Sequence, residues 1–207
     1  MTIFRHLRPS DHRVMPWKNG KGSTVELAVH PPPQGKGIGD FLWRVSVATV
    51  DADGPFSSFP GYDRKIVVLE GEGMMLSHGE EGSAVRLGPL EPYSFPGEAA
   101  TTCRLMGGPV RDFNVMTRRG ESQSTVSVVM PDRGLELSAT GAGFQLLYCH
   151  QGRCQITAPE GAVVVLEPGD VLRIEGLEQD RGVLRLTGDP ACVVVRVEIE
   201  VPDRSAG

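Results

Sequence analysis

The side chains best suited to chemistry lie in the first 120 positions, where cations and amides recur beside aromatic rings. The clearest group is the run PWKNGKGST, in which Trp17 is followed by Lys18, Asn19 and a Gly-Lys-Gly turn. One interpretation is an exposed hairpin, because Asn-Gly strongly favours a type I′ turn. The other is a cradle of backbone N–H groups, to which Lys18 and Asn19 add donors for an anion or an amide.

A β-rich segment, VRDFNVMT, alternates its side chains and so places Asp112, Asn114 and Met116 on one strand face. That face is directed either to solvent or to the interior. In the interior Asn114 would need a partner, since a buried unpaired amide costs about 1–3 kcal/mol, and a ligand is one way to supply it. Arg44 and Ser46 share a face of an earlier strand in the same manner.

A turn-rich loop, GPFSSFPGYDR, leads into a short apolar strand and ends on a charged pair. We expect Phe56 and Phe59 to close one end of a barrel. Asp63 and Arg64 could simply pair with each other, which at an exposed position is worth less than about 1 kcal/mol. If Arg64 points inward instead, its guanidinium can hold a carboxylate through two parallel hydrogen bonds.

The elements that must position these residues are short strands. Phe41–Val50 has one apolar face and one mixed face, which is the period-two pattern of a strand. Ile66–Leu69 is apolar on both faces, which predicts a central, buried strand. Similar runs recur with turn signals roughly every 8 to 12 residues, a pattern that predicts a sandwich or a barrel. Residues 30–40, with three prolines and three glycines, are predicted to form a loop.

A weak internal repeat indicates how the strands are grouped. Leu76 and Ile156 occupy corresponding positions 80 residues apart, and the Pro-Gly-Asp turn of the second copy is typical of cupin-type barrels. We therefore predict an all-β bicupin, with two tandem cupin-like (jelly-roll) β-barrels at residues 1–119 and 120–205. The first barrel would hold the ligand pocket and the second would be a scaffold. Two halves of a single sandwich would give a similar pattern.

A metal centre is not predicted, although most known chemistry on cupin-like barrels uses one. Such a site needs two or three histidines, usually as His-x-His on one strand so that both face the lumen. None of the five histidines stands in that relation, and the corresponding positions hold Ser57, Phe59 and Arg64 in the first half and Gln145 in the second. Because Arg64 would repel a cation, we predict no bound metal and no cofactor. Covalent catalysis is also poorly supported, because no Gly-x-Ser-x-Gly elbow is present.

Composition and charge argue against several classes of partner. The chain carries 21 Lys and Arg against 26 Asp and Glu, a net charge of −5, whereas a nucleic-acid binder usually has a basic patch. The uncharged apolar runs are far too short to span a bilayer, and Arg5, His6 and Arg8 are not followed by the apolar segment of a signal peptide. The four cysteines form no Cys-x-x-Cys pair. We therefore predict a reduced, cytoplasmic protein that binds neither nucleic acid nor membrane.

Five segments resemble the HutD/Ves family of small cupin-like proteins and occur in the order found in that family. The second half of the chain matches only in pattern, and the family's glycine-rich turn is here Gly20-Lys21-Gly22. The five segments cover most of residues 15–119 and are Met15–Thr24, Trp43–Ala48, Gly54–Arg64, Leu69–Gly73 and Gly107–Arg119.

The resemblance implies a single-chain bicupin that lacks the cupin metal ligands and has a regulatory or ligand-sensing role in histidine utilisation. On physical grounds, Lys18, Arg44 and Arg64 would hold carboxylates, while Trp17 and Met116 would supply apolar walls. Carried over residue by residue, the resemblance implies a ligand-binding pocket built from Trp17, Lys18, Asn19, Thr24, Arg44, Ser46, Asp63, Arg64, Asp112, Asn114 and Met116.

The leading hypothesis is a cytosolic small-molecule binding and regulatory protein of histidine utilisation, with a small carboxylate such as N-formylglutamate or urocanate as its ligand. The alternative is a metal-independent cupin enzyme, a hydrolase or isomerase of such acids, with Asp63, Asp112 or Glu26 as general base. A third hypothesis is an interaction module with an empty barrel. Because cupin-like barrels often pair through sheet edges, we expect a homodimer.

Overall fold

The computed structural model describes residues 2–17, 22–31, 40–79, 84–138, 143–176 and 183–202. Over these residues the chain is all-β, with 19 strands and one short 3-10 turn at Pro9–Asp11. The same residues include no helix whose length and apolar character would let it cross a membrane. The strands fall into two compact units.

The N-terminal unit runs from His12 to Ser122 and consists of two antiparallel sheets. Its strands are β2 (Arg13–Pro16), β3 (Gly22–His30), β4 (Trp43–Val50), β5 (Gly54–Pro55), β6 (Tyr62–Glu70), β7 (Met74–His78), β8 (Ala84–Leu87), β9 (Pro92–Pro96), β10 (Thr101–Leu105) and β11 (Val110–Arg118). One sheet has the order β2-β3-β4-β11-β6-β9, and the other has the order β5-β10-β7-β8.

The C-terminal unit contains the described residues up to Asp11 and from Gln123 onward. Its strands are β1 (Ile3–Leu7), β12 (Gln123–Val129), β13 (Leu135–Ser138), β14 (Gly143–Gln151), β15 (Cys154–Thr157), β16 (Val163–Leu166), β17 (Val171–Glu175), β18 (Val183–Gly188) and β19 (Val193–Glu200). One sheet has the order β1-β17-β14-β19-β12, and the other has the order β13-β18-β15-β16.

The two units repeat one arrangement of eight strands. The N-terminal unit has β4-β11-β6-β9 in one sheet and β5-β10-β7-β8 in the other, and adding eight to each number gives the strand orders of the C-terminal unit. Leu76 of β7 and Ile156 of β15 both lie in the buried cores of their units. The weak sequence repeat therefore corresponds to a repeated topology, to which β1, β2 and β3 are added at sheet edges.

The all-β prediction is confirmed, but closed barrels are not found. Over the described residues, each of the four sheets ends at edge strands instead of closing on itself. The sheets of each unit are held by apolar side chains that pack between them, so no hydrogen bonds across the edges are needed to enclose the core.

The boundary between the units also differs from the expected division after residue 119. β1 pairs with β17 in an antiparallel register that sets Leu7 opposite Val171. The first described residues therefore belong to the C-terminal unit, while the N-terminal unit extends to Ser122. Nothing in the short sequence of β1 indicates a partner so far along the chain.

The central strands of the N-terminal unit are buried on both faces. The prediction of a buried strand over Ile66–Leu69 is confirmed, because β6 lies between β11 and β9 and these four residues are buried. In β4, Trp43 and Val45 on one face are as inaccessible as Arg44 and Ser46 on the other. The polar face of β4 therefore points into the protein and not into solvent.

Candidate functional site

Neighbouring strands of the six-stranded sheet bring the predicted polar side chains onto one face. Asn114 of β11 stands opposite Ser46 of β4, and Met116 stands between Arg44 of β4 and Arg64 of β6. Because side chains alternate along a strand, residues opposite one another project to the same side. The register therefore gathers groups that are far apart in the chain.

These side chains line a cavity of about 460 Å³ in the N-terminal unit, a volume in the range of small-molecule sites. The cavity wall is formed by β3, β4, β6 and β11 together with the end of β2 and the loop after β5. Eight of the eleven residues expected in the pocket line it, namely Trp17, Thr24, Arg44, Ser46, Arg64, Asp112, Asn114 and Met116.

The other three expected residues are not placed in the cavity. Asp63 is half exposed and its carboxylate lies 2.8 Å from Nη2 of Arg119. Since Asp63 and Arg64 are consecutive in β6, their side chains point to opposite faces, and they do not form the pair considered from the sequence. Lys18 and Asn19 lie outside the described residues.

Arg44 and Glu26 form a buried ion pair beside the cavity. Nε of Arg44 donates to Oε2 of Glu26 at 2.6 Å, and the two side chains are 4% and 6% exposed. Nη2 of Arg44 is buried without a hydrogen-bond partner among the described residues. The pair thus fixes the guanidinium at the cavity wall and leaves one of its donors unused.

Arg64 is enclosed by aromatic rings. Its Cζ atom lies 5.4, 5.5 and 4.9 Å from the ring centroids of Phe56, Phe59 and Phe95, distances at which the ring faces attract a cation. Nη1 donates to the carbonyl oxygen of Ser57 at 3.2 Å. Phe56 and Phe59, which the sequence pattern assigns to a barrel end, therefore hold the guanidinium in place.

Asn114 joins Arg64 to Asp112. Its Oδ1 accepts a hydrogen bond from Nη2 of Arg64 at 3.1 Å, and its Nδ2 donates to Oδ1 of Asp112. The amide is therefore satisfied by protein groups and does not itself require a ligand. Burial raises the pKa of Asp112 to about 7, although Arg64 and the bond from Asn114 act in the opposite direction.

The same burial lowers the pKa of Arg64 to about 10, and the neighbouring charge of Asp112 opposes this shift. At neutral pH Arg64 is therefore charged, whereas Asp112 is divided between its charged and neutral forms. Carboxyl groups whose pKa is raised in this way are common in the cavities of functional sites.

Trp17, just after β2, is held in the cavity wall by two residues of β3. Its indole Nε1 donates to Oγ1 of Thr24 at 2.8 Å, and its backbone N–H donates to the carbonyl oxygen of Gly22 at 2.9 Å. A Cβ atom at Gly22 would lie 2.1 Å from the carbonyl oxygen of Thr49, so no larger residue fits there without moving the backbone.

The cavity is also lined by eight residues that the sequence analysis does not place there. Two of them, Ala48 and Val50, are the next inward positions of β4 after Ser46, so strand alternation could have identified them. The others come from loops or strand ends, whose side-chain direction has no periodic signal. The full set is Met15, Pro16, Ala48, Val50, Pro55, Phe56, Ser57 and Phe59.

The residues at the cavity do not fit a cupin-type metal centre. Among the residues that the structure describes, no three or more His, Cys, Asp or Glu side chains form a group that could hold a metal ion. The wall instead presents Arg44 and Arg64, whose guanidinium groups are donors only and repel a cation. The arrangement suits an anion.

Comparison with known proteins gives three results for the sequence. The HutD family model matches residues 9–193. The chain is 34% identical over 179 residues to an uncharacterized 21.2 kDa protein in the hutC 3′ region of Pseudomonas putida, covering 86% of this chain and 90% of that protein. It is also 34% identical over 181 residues to protein Ves of Citrobacter koseri, covering 76% of this chain and 91% of that protein.

Solved structures agree with these matches. HutD from Pseudomonas fluorescens superposes with a TM-score of 0.77 and 30% identity, covering 96% of this chain and 100% of that one. A cupin 2 conserved barrel domain protein from Leptotrichia buccalis shares 8% identity with a TM-score of 0.53, covering 92% and 96%, which shows a cupin-like fold alone. From the family match and these relatives together, the chain belongs to the HutD family.

Proposed function

We propose that this protein binds a small organic carboxylate in the cavity of the N-terminal unit and acts as a cytoplasmic binding and regulatory protein of histidine utilisation. The observation that carries the proposal is a pair of buried arginines at one cavity. Nη2 of Arg44 and Nε of Arg64 are each buried without a partner among the described residues. Unpaired buried donors cost about 1–3 kcal/mol each, and a bound carboxylate would offer acceptors to the two guanidinium groups.

The remainder of the cavity wall supports a small ligand with an apolar part. Trp17, Phe56 and Met116 supply apolar surface, and Ser46 supplies a hydroxyl group. One unused donor from each guanidinium would give the acid two charge-assisted hydrogen bonds, and these would fix its orientation. A cavity of about 460 Å³ suits an acid of this size better than a nucleotide.

Histidine degradation is the proposed context because of the relatives. One relative lies in the hutC 3′ region of its organism, and another is named HutD. N-formylglutamate and urocanate are carboxylates of this pathway and are our proposed ligands. The HutD structure from Pseudomonas fluorescens is described as a formate condition, and formate, as the smallest carboxylate, is a useful minimal probe.

Thermal unfolding of the purified, metal-analysed protein tests the proposal. We expect N-formylglutamate, urocanate or formate to raise the midpoint. An acid present at 100 times its dissociation constant should add about 2.7 kcal/mol, and each kcal/mol shifts the midpoint by roughly 2–4 °C for a chain of this size. A flat response to all three acids would contradict the proposal.

Substitutions at the two cavity arginines identify the site. The double variant Glu26→Gln, Arg44→Gln removes the ion pair as a unit, and Arg64→Gln removes the second cation. We expect each to weaken binding by about tenfold or more, the worth of a charged hydrogen bond. Arg119→Gln is the matched control, because Arg119 pairs with Asp63 and Glu98 outside the cavity. Full affinity in both cavity variants would place the ligand elsewhere.

A second candidate function is a metal-independent hydrolase or isomerase acting on the same acids. It is supported by Asp112, whose pKa of about 7 suits general acid–base catalysis near neutral pH. The other two bases considered from the sequence are less suitable, because Glu26 is paired with Arg44 and Asp63 lies outside the cavity. Product formed by the wild type and lost in Asp112→Asn would favour the enzyme. Binding without product over a long incubation would favour the binding protein.

We also propose that each unit is a cupin-like jelly roll, that the C-terminal unit is a scaffold, and that the protein pairs as a homodimer through sheet edges. The repeated order of eight strands supports the first statement, since jelly rolls are double sheets of eight strands. Sedimentation of the purified protein over a range of concentrations tests the third, and a monomer at all concentrations would contradict it.

A further inference from the structure

Among the residues that the structure describes, no cation directly contacts one carboxyl group of the site. Asp112 is 1% exposed, and over the described residues its side chain has one hydrogen-bond partner, the neutral amide of Asn114. Arg64 also contacts Asn114, at 3.1 Å, so the amide lies between the guanidinium and the carboxyl. Of the described cations, therefore, none compensates the buried charge of an ionised Asp112 except from a distance.

The net charge of the described site depends on whether Asp112 is ionised. Arg64 of β6 and Arg44 of β4 contribute two positive charges, and Glu26 of β3 contributes one negative charge. From β10, the Cys103 thiol adds no charge, because burial together with nearby Asp112 raises its pKa to about 12. The described groups thus carry one surplus positive charge when Asp112 is neutral and none when it is ionised.

We propose that binding of an organic anion in this cavity is coupled to the uptake of a proton by Asp112, so that the site binds its ligand more tightly as the pH falls. The inference rests on the proposed function and adds a regulation to it. An anion held by Arg44 and Arg64 brings negative charge beside Asp112 and so disfavours its ionised form. By linkage, protonation of Asp112 favours the anion to the same extent.

The direction and range of the effect follow from the ligand-free carboxyl, whose pKa is about 7. Below about pH 6 Asp112 is already neutral, and its proton adds no further pH dependence. Above about pH 7 the site must take up a proton on binding, and the affinity should fall with rising pH by at most about tenfold for each pH unit.

N-formylglutamate is the most suitable probe, because its carboxyl groups titrate well below pH 6. Urocanate is less suitable, since its imidazole ring titrates in the range of interest. We would measure the heat of N-formylglutamate binding at about pH 7.5 in two buffers with different ionisation enthalpies, and the dissociation constant from about pH 6 to 9. Since about a quarter of the free sites are already protonated at this pH, we expect an uptake of between about half and three quarters of a proton per ligand. We also expect weaker binding at each step above pH 7.

Asp112→Asn keeps the shape and the hydrogen-bonding oxygen but cannot titrate. We expect it to bind N-formylglutamate with no proton uptake and with an affinity that does not change with pH. Asp170→Asn is the matched control, since Asp170 is also a buried carboxylate but pairs with His6 in the C-terminal unit. This variant should take up protons as the wild type does.

The outcomes separate the inference from the proposed function. Binding by the wild type with no proton uptake and no pH dependence above pH 7 would overturn the inference and leave the carboxylate site standing. Failure of N-formylglutamate, urocanate and formate to bind even at about pH 6, where the site is most positive, would overturn both. Because the wild-type measurement needs no variant, the test does not depend on whether Asp112→Asn folds.

Discussion

Asn114 is the residue on which the chemistry of the cavity depends. A side-chain amide both accepts and donates, so Asn114 can accept from Arg64 and donate to Asp112 at the same time. An aspartate at this position would repel Asp112, and an apolar residue would remove the hydrogen bonds that Asn114 makes to Nη2 of Arg64 and Oδ1 of Asp112. The amide thus keeps a cation and a carboxyl group close without letting them form a direct ion pair.

Asp112→Asn should raise the free energy of unfolding at about pH 8 and leave it unchanged at about pH 4. The pKa of Asp112 rises from 3.8 to about 7 in the folded protein, so the folded state holds the proton more tightly. The resulting stability is fully present below the unfolded pKa and is lost as the pH rises through 7. Each pKa unit is worth about 1.4 kcal/mol, so the variant should gain a few kcal/mol.

Urea unfolding of both proteins between about pH 4 and pH 8 measures this difference. The two stability curves should meet at low pH and separate as the pH approaches 7. Curves that run parallel over the whole range would show that Asp112 titrates alike in the folded and unfolded states.

At this scale the sequence predicts which residues share a face but not what that face contacts. Alternation in β11 correctly groups Asp112, Asn114 and Met116, while their burial depends on strands that are distant in the chain. Asp63 illustrates the opposite case. The family resemblance groups it with Arg64, but the two-residue period of β6 separates them, and Asp63 pairs with Arg119 outside the cavity.

Among the structural elements, the loop between β5 and β6 has the most influence on the site. It carries Phe56, Phe59 and the carbonyl group of Ser57, all of which contact Arg64. The loop is fastened to Gly97, just after β9. The backbone N–H of Phe59 donates to the carbonyl oxygen of Gly97 at 2.8 Å. The backbone N–H of Gly97 in turn donates to the carbonyl oxygen of Tyr62 at 2.7 Å.

Gly97→Ala should loosen this loop and weaken the binding of small acids. A Cβ atom at Gly97 would lie 2.4 Å from the carbonyl oxygen of Phe59 and 2.7 Å from that of Tyr62, so the backbone must shift. We expect a loss of about 1–3 kcal/mol in the free energy of unfolding, as for other overpacked sites. Gly54→Ala is the control, because a Cβ there meets nothing within 4 Å. Equal unfolding midpoints for the two variants would contradict the anchoring role of Gly97.

Strands with an apolar period are predictable from the sequence, and several others are not. The runs that became β4, β6, β11 and β19 have the expected alternation or apolar character. β9, by contrast, begins at Pro92 and ends at Pro96, and proline within a run argues against a strand. Because β9 is an edge strand, the absence of an N–H group at its prolines interrupts no central hydrogen-bond ladder. The sequence does not show that this strand lies at the edge of the sheet.

For the molecule as a whole, the same eight-strand arrangement carries different chemistry in its two copies. By strand order, β14 and β19 correspond to β6 and β11. In β19, Nη2 of Arg196 lies 2.8 Å from Oε1 of Glu198 and 3.0 Å from the carbonyl oxygen of Ser138. Arg196 is therefore satisfied within its own unit, whereas donors of Arg44 and Arg64 are left unused among the described residues.

Arg196→Gln combined with Glu198→Gln should therefore leave the binding of small acids unchanged. The pair is removed as a unit, so no lone charge remains, and its members lie in the unit that we propose to be a scaffold. Titration of the variant with N-formylglutamate at about pH 6 provides the measurement. A loss of affinity comparable to that of the Glu26→Gln, Arg44→Gln variant would mean that the C-terminal unit takes part in binding.

The repeat is visible in the sequence because turn residues recur at a nearly constant spacing, and this spacing predicts the repeated topology. The extent of each unit is not predictable in this way. β1 joins the C-terminal unit through its pairing with β17, the contact of His6 with Asp170 and the packing of Phe4 against the core. All of these partners are far along the chain, so the sequence near β1 does not reveal them.

The pairing of β1 with β17 also sets an order for the assembly of the protein during translation. Ile3 stands opposite Glu175, so 175 − 3 = 172 positions separate the partners. At about 5–20 residues per second, β1 waits roughly ten to thirty seconds for β17 to be synthesised. The N-terminal unit, which is continuous in the chain, can fold during this interval. β1, which leaves the ribosome before the other described strands, is thus among the last of them to pair with its partner.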